Sequence, residues 1–294
     1  HALYADCGPG KEPIVLNVTQ RTGLLLFSLL LALLASCNRD RPAGAVSRAP
    51  RTPAPAVAPP AIPQSTTALQ DVIERDPRYI IGISYPPIAD RYPGLAAELK
   101  RYADAARADV MQAVAGLGDQ KPTAPYDLSI SFTQVVANPQ IVAVAADGSS
   151  YTGGAHGAPL VARFVWLPEQ NRRLTAAELV PDRSAWRDIS GLVRDQLQAA
   201  LVQRVDADHL PPADRADVLK QAGRMIAEGT GPDVANFSQF EPVLSPDGRI
   251  AALRFVFAPY QVGPYADGTQ TVDIPADVLL PNIASGYRHL FIGG

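Results

Sequence analysis

One stretch of the chain concentrates the residue types that chemistry or recognition needs. Tyr151, Gly153, Gly154, His156 and Gly157 fall within seven residues, between two strand-like runs. A histidine beside consecutive glycines has two uses. Backbone N–H groups around glycine can form an oxyanion pocket next to a titratable imidazole. Alternatively, the glycines supply positive φ in a tight turn and the imidazole bonds backbone carbonyls. Catalysis also needs a nucleophile or a metal, and neither can be assigned, so the turn is the expectation.

The rest of the chain offers little further chemistry. Beyond the amino-terminal segment the histidines are His156, His209 and His289. His209 lies beside Asp206 and Asp208 ahead of Pro211-Pro212 and reads as a solvated loop residue, and His289 is equally bland. Zinc sites want several ligands at short spacing, and no His-Glu-x-x-His or paired cysteines occur. Neither a Gly-x-Ser-x-Gly elbow nor a Ser-x-x-Lys is present, nor a phosphate-cradling glycine loop followed by Lys-Ser or Lys-Thr. No catalytic residue, metal site or cofactor is therefore expected. Tyr151, Tyr260 and Tyr265 can line a ligand surface, because tyrosine joins an apolar body to a polar tip. Gly268, in the pair Asp267-Gly268, belongs to a turn beside them. With Gly153, Gly154 and His156 these are the candidate binding residues.

The elements that must position them follow from periodicity. Tyr79, Ile81, Ile83 and Tyr85 alternate as a half-buried strand, which Pro86-Pro87 stops. Pro93 opens a helix with Leu95, Leu99, Tyr102, Ala106, Val110 and Val114 on one stripe and Gly116 as its cap. Residues 126–136 alternate again, Asn138-Pro139 turns, and 141–146 is the hairpin partner. Asp147-Gly148 then reads as a turn into the glycine–histidine stretch. A strand at 160–166 follows, then Thr175-x-x-Glu178, the spacing of a capping box. Ser184 is expected to cap a helix whose stripe is Trp186, Ile189, Val193, Leu197 and Leu201. Another helix runs from Pro211-Pro212 to about residue 227, with Gly229 beyond it. Residues 240–244 and 249–257 flank Ser245-Pro246-Asp247-Gly248, a hairpin signal. A last strand near 271–274 precedes a short helix. Strands and helices in runs predict an α+β fold, with mostly antiparallel sheets and three or four packed helices.

The amino-terminal part is of another kind. Residues 24–35 form an apolar run behind Arg21, shorter than the roughly 20 residues that span a bilayer, and suited to a secretory signal. The run ends in Leu34-Ala35-Ser36-Cys37, which resembles a bacterial lipobox and makes Cys37 the expected lipidated first residue. Residues 1–17 are read as an upstream extension, with a start at Val15 or Val18. Removing 1–36 takes Lys11 and Arg21 against Asp6 and Glu12, so the net charge stays at −3. That balance gives no basic footprint for nucleic acid. Residues 37–70, rich in Pro and Ala, make a semi-rigid tether. Asn38 after Cys37 favours outer-membrane sorting, and the expected location is the cell envelope, facing the periplasm through a lipid anchor.

Two separated stretches carry a family resemblance. Residues 151–157 resemble the Gly-Gly-Ala-His segment of the domain shared by RsiV anti-sigma factors and PdaC peptidoglycan deacetylases. Residues 257–268, with Val272-Asp273-Ile274-Pro275, are similar to that family's second signature, although Ala276 stands where an aromatic is expected. Residues 79–144 look like the amino-terminal module of PdaC. The resemblance implies a 71–150 module followed by a 151–294 module, with the glycine–histidine stretch at their junction. It also implies an extracytoplasmic domain that captures a lysozyme-like protein or peptidoglycan. Sigma binding needs a cytoplasmic segment behind a spanning helix, and deacetylation a metal-binding domain. Neither is read here, so a non-catalytic binding lipoprotein is the expectation. The alternatives are a peptidoglycan-directed hydrolase or deacetylase using His156, and a structural envelope protein.

Overall fold

The computed structural model describes residues 68–294. Cys37, the apolar run 24–35 and nearly all of the tether lie outside the described residues. Among the described residues, nine strands form two sheets. The larger has the order β1 (Val72–Asp76), β2 (Tyr79–Ser84), β3 (Tyr126–Ala137), β4 (Val142–Tyr151), β5 (Ala158–Leu167) and β6 (Arg172–Arg173). The smaller joins β7 (Phe240–Leu244), β8 (Ile250–Phe257) and β9 (Gln270–Pro275) in sequence order. Every pairing is antiparallel except β2 with β3. That pair needs a long crossover, supplied by helix α1 (Pro93–Gly116). The fold is α+β.

Alternation along the strands assigns the two faces of the large sheet. Ile81, Ile83, Leu128, Ile130, Phe132, Val144, Ala146 and Phe164 face α1, which buries Leu95, Leu99, Ala103, Val110 and Val114 against them. The opposite face of β4 and β5 serves a second core. Ile141, Ala143, Val165 and Leu167 pack there with the inner face of the small sheet and with helices α2 (Ala176–Leu179), α3 (Ala185–Ala207), α4 (Pro212–Gly229) and α5 (Ala276–Leu279). The predicted stripe of α3 is buried throughout, from Trp186 to Leu201. Each such side chain contributes about 1.5–3 kcal/mol of transfer free energy.

The local signals mostly hold. Thr175 accepts from the Glu178 backbone N–H while the Glu178 carboxylate accepts from that of Thr175, so both halves of the capping box form. Asn138 turns β3 into β4 by accepting from the N–H groups of Gln140 and Ile141.

Other expectations need correction. Asp147-Gly148 is no turn: both residues lie inside β4, which continues to Tyr151. Gly148 is there because a Cβ would run into the Ser129 carbonyl of the neighbouring strand. Ser184 makes no cap bond, because its hydroxyl donates to Asp182 instead. The α1 helix ends with Leu117 as its cap and Gly118 at φ +56°, so the left-handed residue comes two places after Gly116. The edge strands β1 and β6 had no periodic signal. Finally, the proposed junction at 150/151 falls in the β4–β5 hairpin, whose strands pair from Val142–Trp166 to Ser150–Ala158. The described residues fall in one compact unit across it. Dividing there would strip β4 of a whole ladder of backbone hydrogen bonds.

Candidate binding site

The loop 152–157 closes the β4–β5 hairpin. Gly153 and Gly154 take φ of +104° and +100°, which an L side chain rarely adopts. No atom would crowd a Cβ at either, so conformation and not close approach requires glycine there. The Tyr151 hydroxyl donates to the Gly154 carbonyl at 3.2 Å and steadies the loop.

His156 projects from this hairpin towards the segment between β8 and β9. Its Nε2 lies 2.7 Å from the Tyr260 hydroxyl and its Nδ1 lies 3.1 Å from the Gly157 carbonyl. A carbonyl can only accept, so the Nδ1–H tautomer satisfies both contacts, with Nε2 accepting from the tyrosine. The Tyr265 ring stacks on the imidazole with centroids 4.4 Å apart and planes 18° apart. Tyr260 continues the surface at 5.8 Å and 29°. These tyrosines are not core residues: Tyr260 is 50% exposed and Tyr265 38%. The expected histidine-to-carbonyl bond forms once, and the other nitrogen instead joins segments 104 residues apart in sequence.

The segment carrying the tyrosines is pinned from several sides. Val262 is buried in the second core. Gln261 donates to the carbonyls of Gly229 and Asn236, and Asp267 pairs with Arg204 of α3 at 2.8 Å. A Cβ on Gly229 would collide with the Gln261 carbonyl, so the α4 terminus fits closely against the segment. Tyr260 itself sits at φ +73°, a conformation that costs about 1–2 kcal/mol for a residue with a Cβ. Gly268, at φ +68°, ends the short turn Tyr265–Asp267. Sequence-predicted residues from both stretches therefore meet in one exposed, preorganised aromatic surface.

A groove of about 270 Å³ adjoins it, between Asp147, Ser149, Pro159 and Val161 of the sheet and Pro259, Tyr265, Gly268 and Thr269 of the segment. Sequence reasoning missed Asp147. Its carboxylate accepts from Arg163 Nη1 at 3.0 Å, and Arg163 Nε donates to Glu241 at 2.9 Å. Glu241 neighbours Arg254, which clamps Asp273 through two bonds of 2.7 and 2.9 Å. This row of alternating charge crosses from the large sheet to the small one. The available signal was Arg163 itself, a charge within the apolar run 160–167, since a buried charge requires partners.

The other histidines stay apart. His209 is exposed with φ +52°, next to the Ala207 carbonyl, and His289 is exposed in the turn Ser285–Leu290. Among the described residues no cluster of His, Cys, Asp and Glu is arranged to hold a metal, and no helix is long and apolar enough to cross a membrane. The hydrogen-bond partners of His156 are a carbonyl and a phenol, an arrangement suited to holding a surface in shape.

Residues 179–277 match the family described as "Protein of unknown function (DUF3298)". That stretch, about a third of the chain, is what resembles the family. The match runs from the end of α2 into α5, so it contains Tyr260 and Tyr265 but not the His156 hairpin. Solved structures similar to the chain include two from this family. A DUF3298 family member from Bacteroides fragilis NCTC 9343 is 16% identical, with 74% of this chain and 94% of that one covered and a TM-score of 0.45. A DUF3298 family protein from Pseudomonas aeruginosa PAO1 is 14% identical, with coverage of 76% and 95% and a TM-score of 0.45. No curated protein matches the chain significantly. The family found is DUF3298; the matches do not name RsiV or PdaC.

Proposed function

We propose that the chain is a non-catalytic, lipid-anchored envelope protein whose described residues bind a lysozyme-like protein or peptidoglycan at the His156–Tyr260–Tyr265 surface. One observation carries this reading. The two stretches that resemble the RsiV and PdaC domain, far apart in sequence, meet through the His156–Tyr260 contact. Exposed aromatic rings held rigidly by a supporting shell lose little entropy on binding. Tyr260 keeps a costly backbone conformation, and such strain gathers at ligand sites. The lipobox-like ending at Cys37 supports attachment by lipid, and Asn38 supports the outer membrane as its destination.

Calorimetric titration of the chain with lysozyme and with soluble peptidoglycan fragments tests the binding reading. Heat is expected with at least one, and Tyr265→Ala should weaken it without unfolding the domain. Silence with both ligands would overturn the proposal. Anchoring is tested separately by fractionation: Cys37→Ser should release the protein from membranes, and continued membrane retention would refute the lipid anchor.

A further inference from the structure

The groove next to the aromatic surface has a floor as distinctive as its wall. Asp147 and Ser149 of β4 lie opposite Val161 and Pro159 of β5 and share the face turned away from α1. The same face continues onto β3, where Ser149 pairs with Ser129 and Asp147 with Ser131, and onto β2, where Ser84 donates to Ser131. Residues directly opposite on neighbouring antiparallel strands have Cβ atoms about 4.5–5.5 Å apart. These side chains therefore make a pleated polar track that leads into the groove.

Asp147 has an unusual setting. Its side chain is 50% exposed, yet it is gripped from below by Arg163, which is only 8% exposed. The guanidinium fixes the carboxylate and offsets its charge, so the group is better suited to accepting hydrogen bonds from hydroxyls than to capturing a cation. Tyr265 supplies a ring at the wall, and Pro159, Val161 and Pro259 supply small apolar contacts. At about 270 Å³ the groove lies just below the roughly 300–1,000 Å³ of drug-sized sites. It suits one small ring.

We propose that this groove is a saccharide subsite. It takes one uncharged pyranose, including an N-acetylated one, with Tyr265 under the apolar face of the ring and Asp147 accepting from ring hydroxyls. The acetyl methyl meets Pro159, Val161 and Pro259, and the glycan continues over Ser149, Ser129 and Ser131. The proposal rests on the binding reading above and selects its glycan ligand.

The test titrates the chain with a β-1,4-linked N-acetylglucosamine tetramer and with the corresponding cationic glucosamine tetramer, with lysozyme as a separate arm. Binding is expected for the acetylated tetramer. Loss of ring stacking in Tyr265→Ala should weaken it about tenfold, whereas Tyr265→Phe stays near wild type. Asp147→Asn keeps the shape and should weaken binding about fivefold, since bonds to a charged acceptor exceed neutral ones. Circular dichroism of each variant checks folding. Failure to bind either tetramer while lysozyme still binds overturns the subsite and leaves the binding module standing. Failure in all arms sinks both. Sugar binding indifferent to Tyr265→Ala and Asp147→Asn, or stronger for the cationic tetramer, overturns the assignment.

Discussion

Replacing Arg163 by methionine keeps most of the side-chain volume and removes the charge that bridges the two sheets. Arg163 and Glu241 are 8% and 11% exposed, so the pair is almost fully desolvated. Without the guanidinium, Glu241 retains only Arg254, at 3.8 Å. Breaking a buried ion pair from one side costs about 3–5 kcal/mol, and the residual Arg254 contact argues for the lower end. The half-exposed Asp147 contact adds at most about 1 kcal/mol. A domain of this size loses about 2–4 °C per kcal/mol, so Arg163→Met should lower Tm by roughly 10 °C. Glu241→Leu alone should also destabilise, by leaving the buried Arg163 with the half-exposed Asp147 as its one carboxylate, beside the Ala146 and Ala162 carbonyls. The double variant Arg163→Met/Glu241→Leu should return to within about 1 kcal/mol of wild type, because no buried charge is then orphaned on this pair. Thermal and urea unfolding of the four proteins complete the cycle. A loss below about 3 °C for Arg163→Met, or a double variant equal to the sum of the singles, would refute the reasoning.

Three further outcomes are expected. Tyr260→Gly relieves a left-handed backbone and forfeits an exposed hydrogen bond and exposed ring contacts with His156 and Tyr265, so stability should stay within about 1 kcal/mol of wild type while ligand binding falls; a large drop in Tm would contradict this. Gly148→Ala forces a Cβ onto the Ser129 carbonyl and should cost at least about 1–3 kcal/mol, measurable by urea unfolding, while the same change at half-buried Gly157, whose nearest neighbour is 3.2 Å away, should cost less. Burial, with Asp104 and Asp71 adding to it, pushes the Tyr85 phenol up to about 12 from 10.0. The neutral phenol is thus favoured in the fold, and its contribution is complete below the unfolded value and lost as pH climbs from there towards the folded one. Tyr85→Phe should flatten the alkaline fall in stability, and an unchanged profile would count against that assignment.

Sequence patterns made some elements legible and hid others for identifiable reasons. Strand β3 alternates Leu128, Ile130 and Phe132 with Ser129 and Ser131 because one face packs on α1 and the other is open. Strand β4 lacks such alternation: Val142 to Ala146 are buried on both faces, and its continuation past Asp147-Gly148 depends on pairing with β3 and β5, which no local window contains. β1 is held through Glu74, which accepts two bonds from Arg107 on α1, a contact 33 residues away. At the candidate site, residue types were informative. Gly153, Gly154, His156, Tyr260 and Tyr265 could each be named from their chemistry, but the pairing across 104 residues could not. Asp147 was obscured by its glycine neighbour, which imitates a turn.

Strands β4 and β5 present one face to each hydrophobic core. Neither core can therefore open alone without exposing the back of a strand pair that the other still needs. Melting should be all-or-none, with the slowest amide exchange concentrated in these two strands and a single transition by every probe. The 152–157 loop connects them at the periphery and is free of that constraint. Apart from Gly153 and Gly154, whose backbone conformation requires glycine, its sequence can drift towards new ligands while the shared strands behind it hold both cores in place.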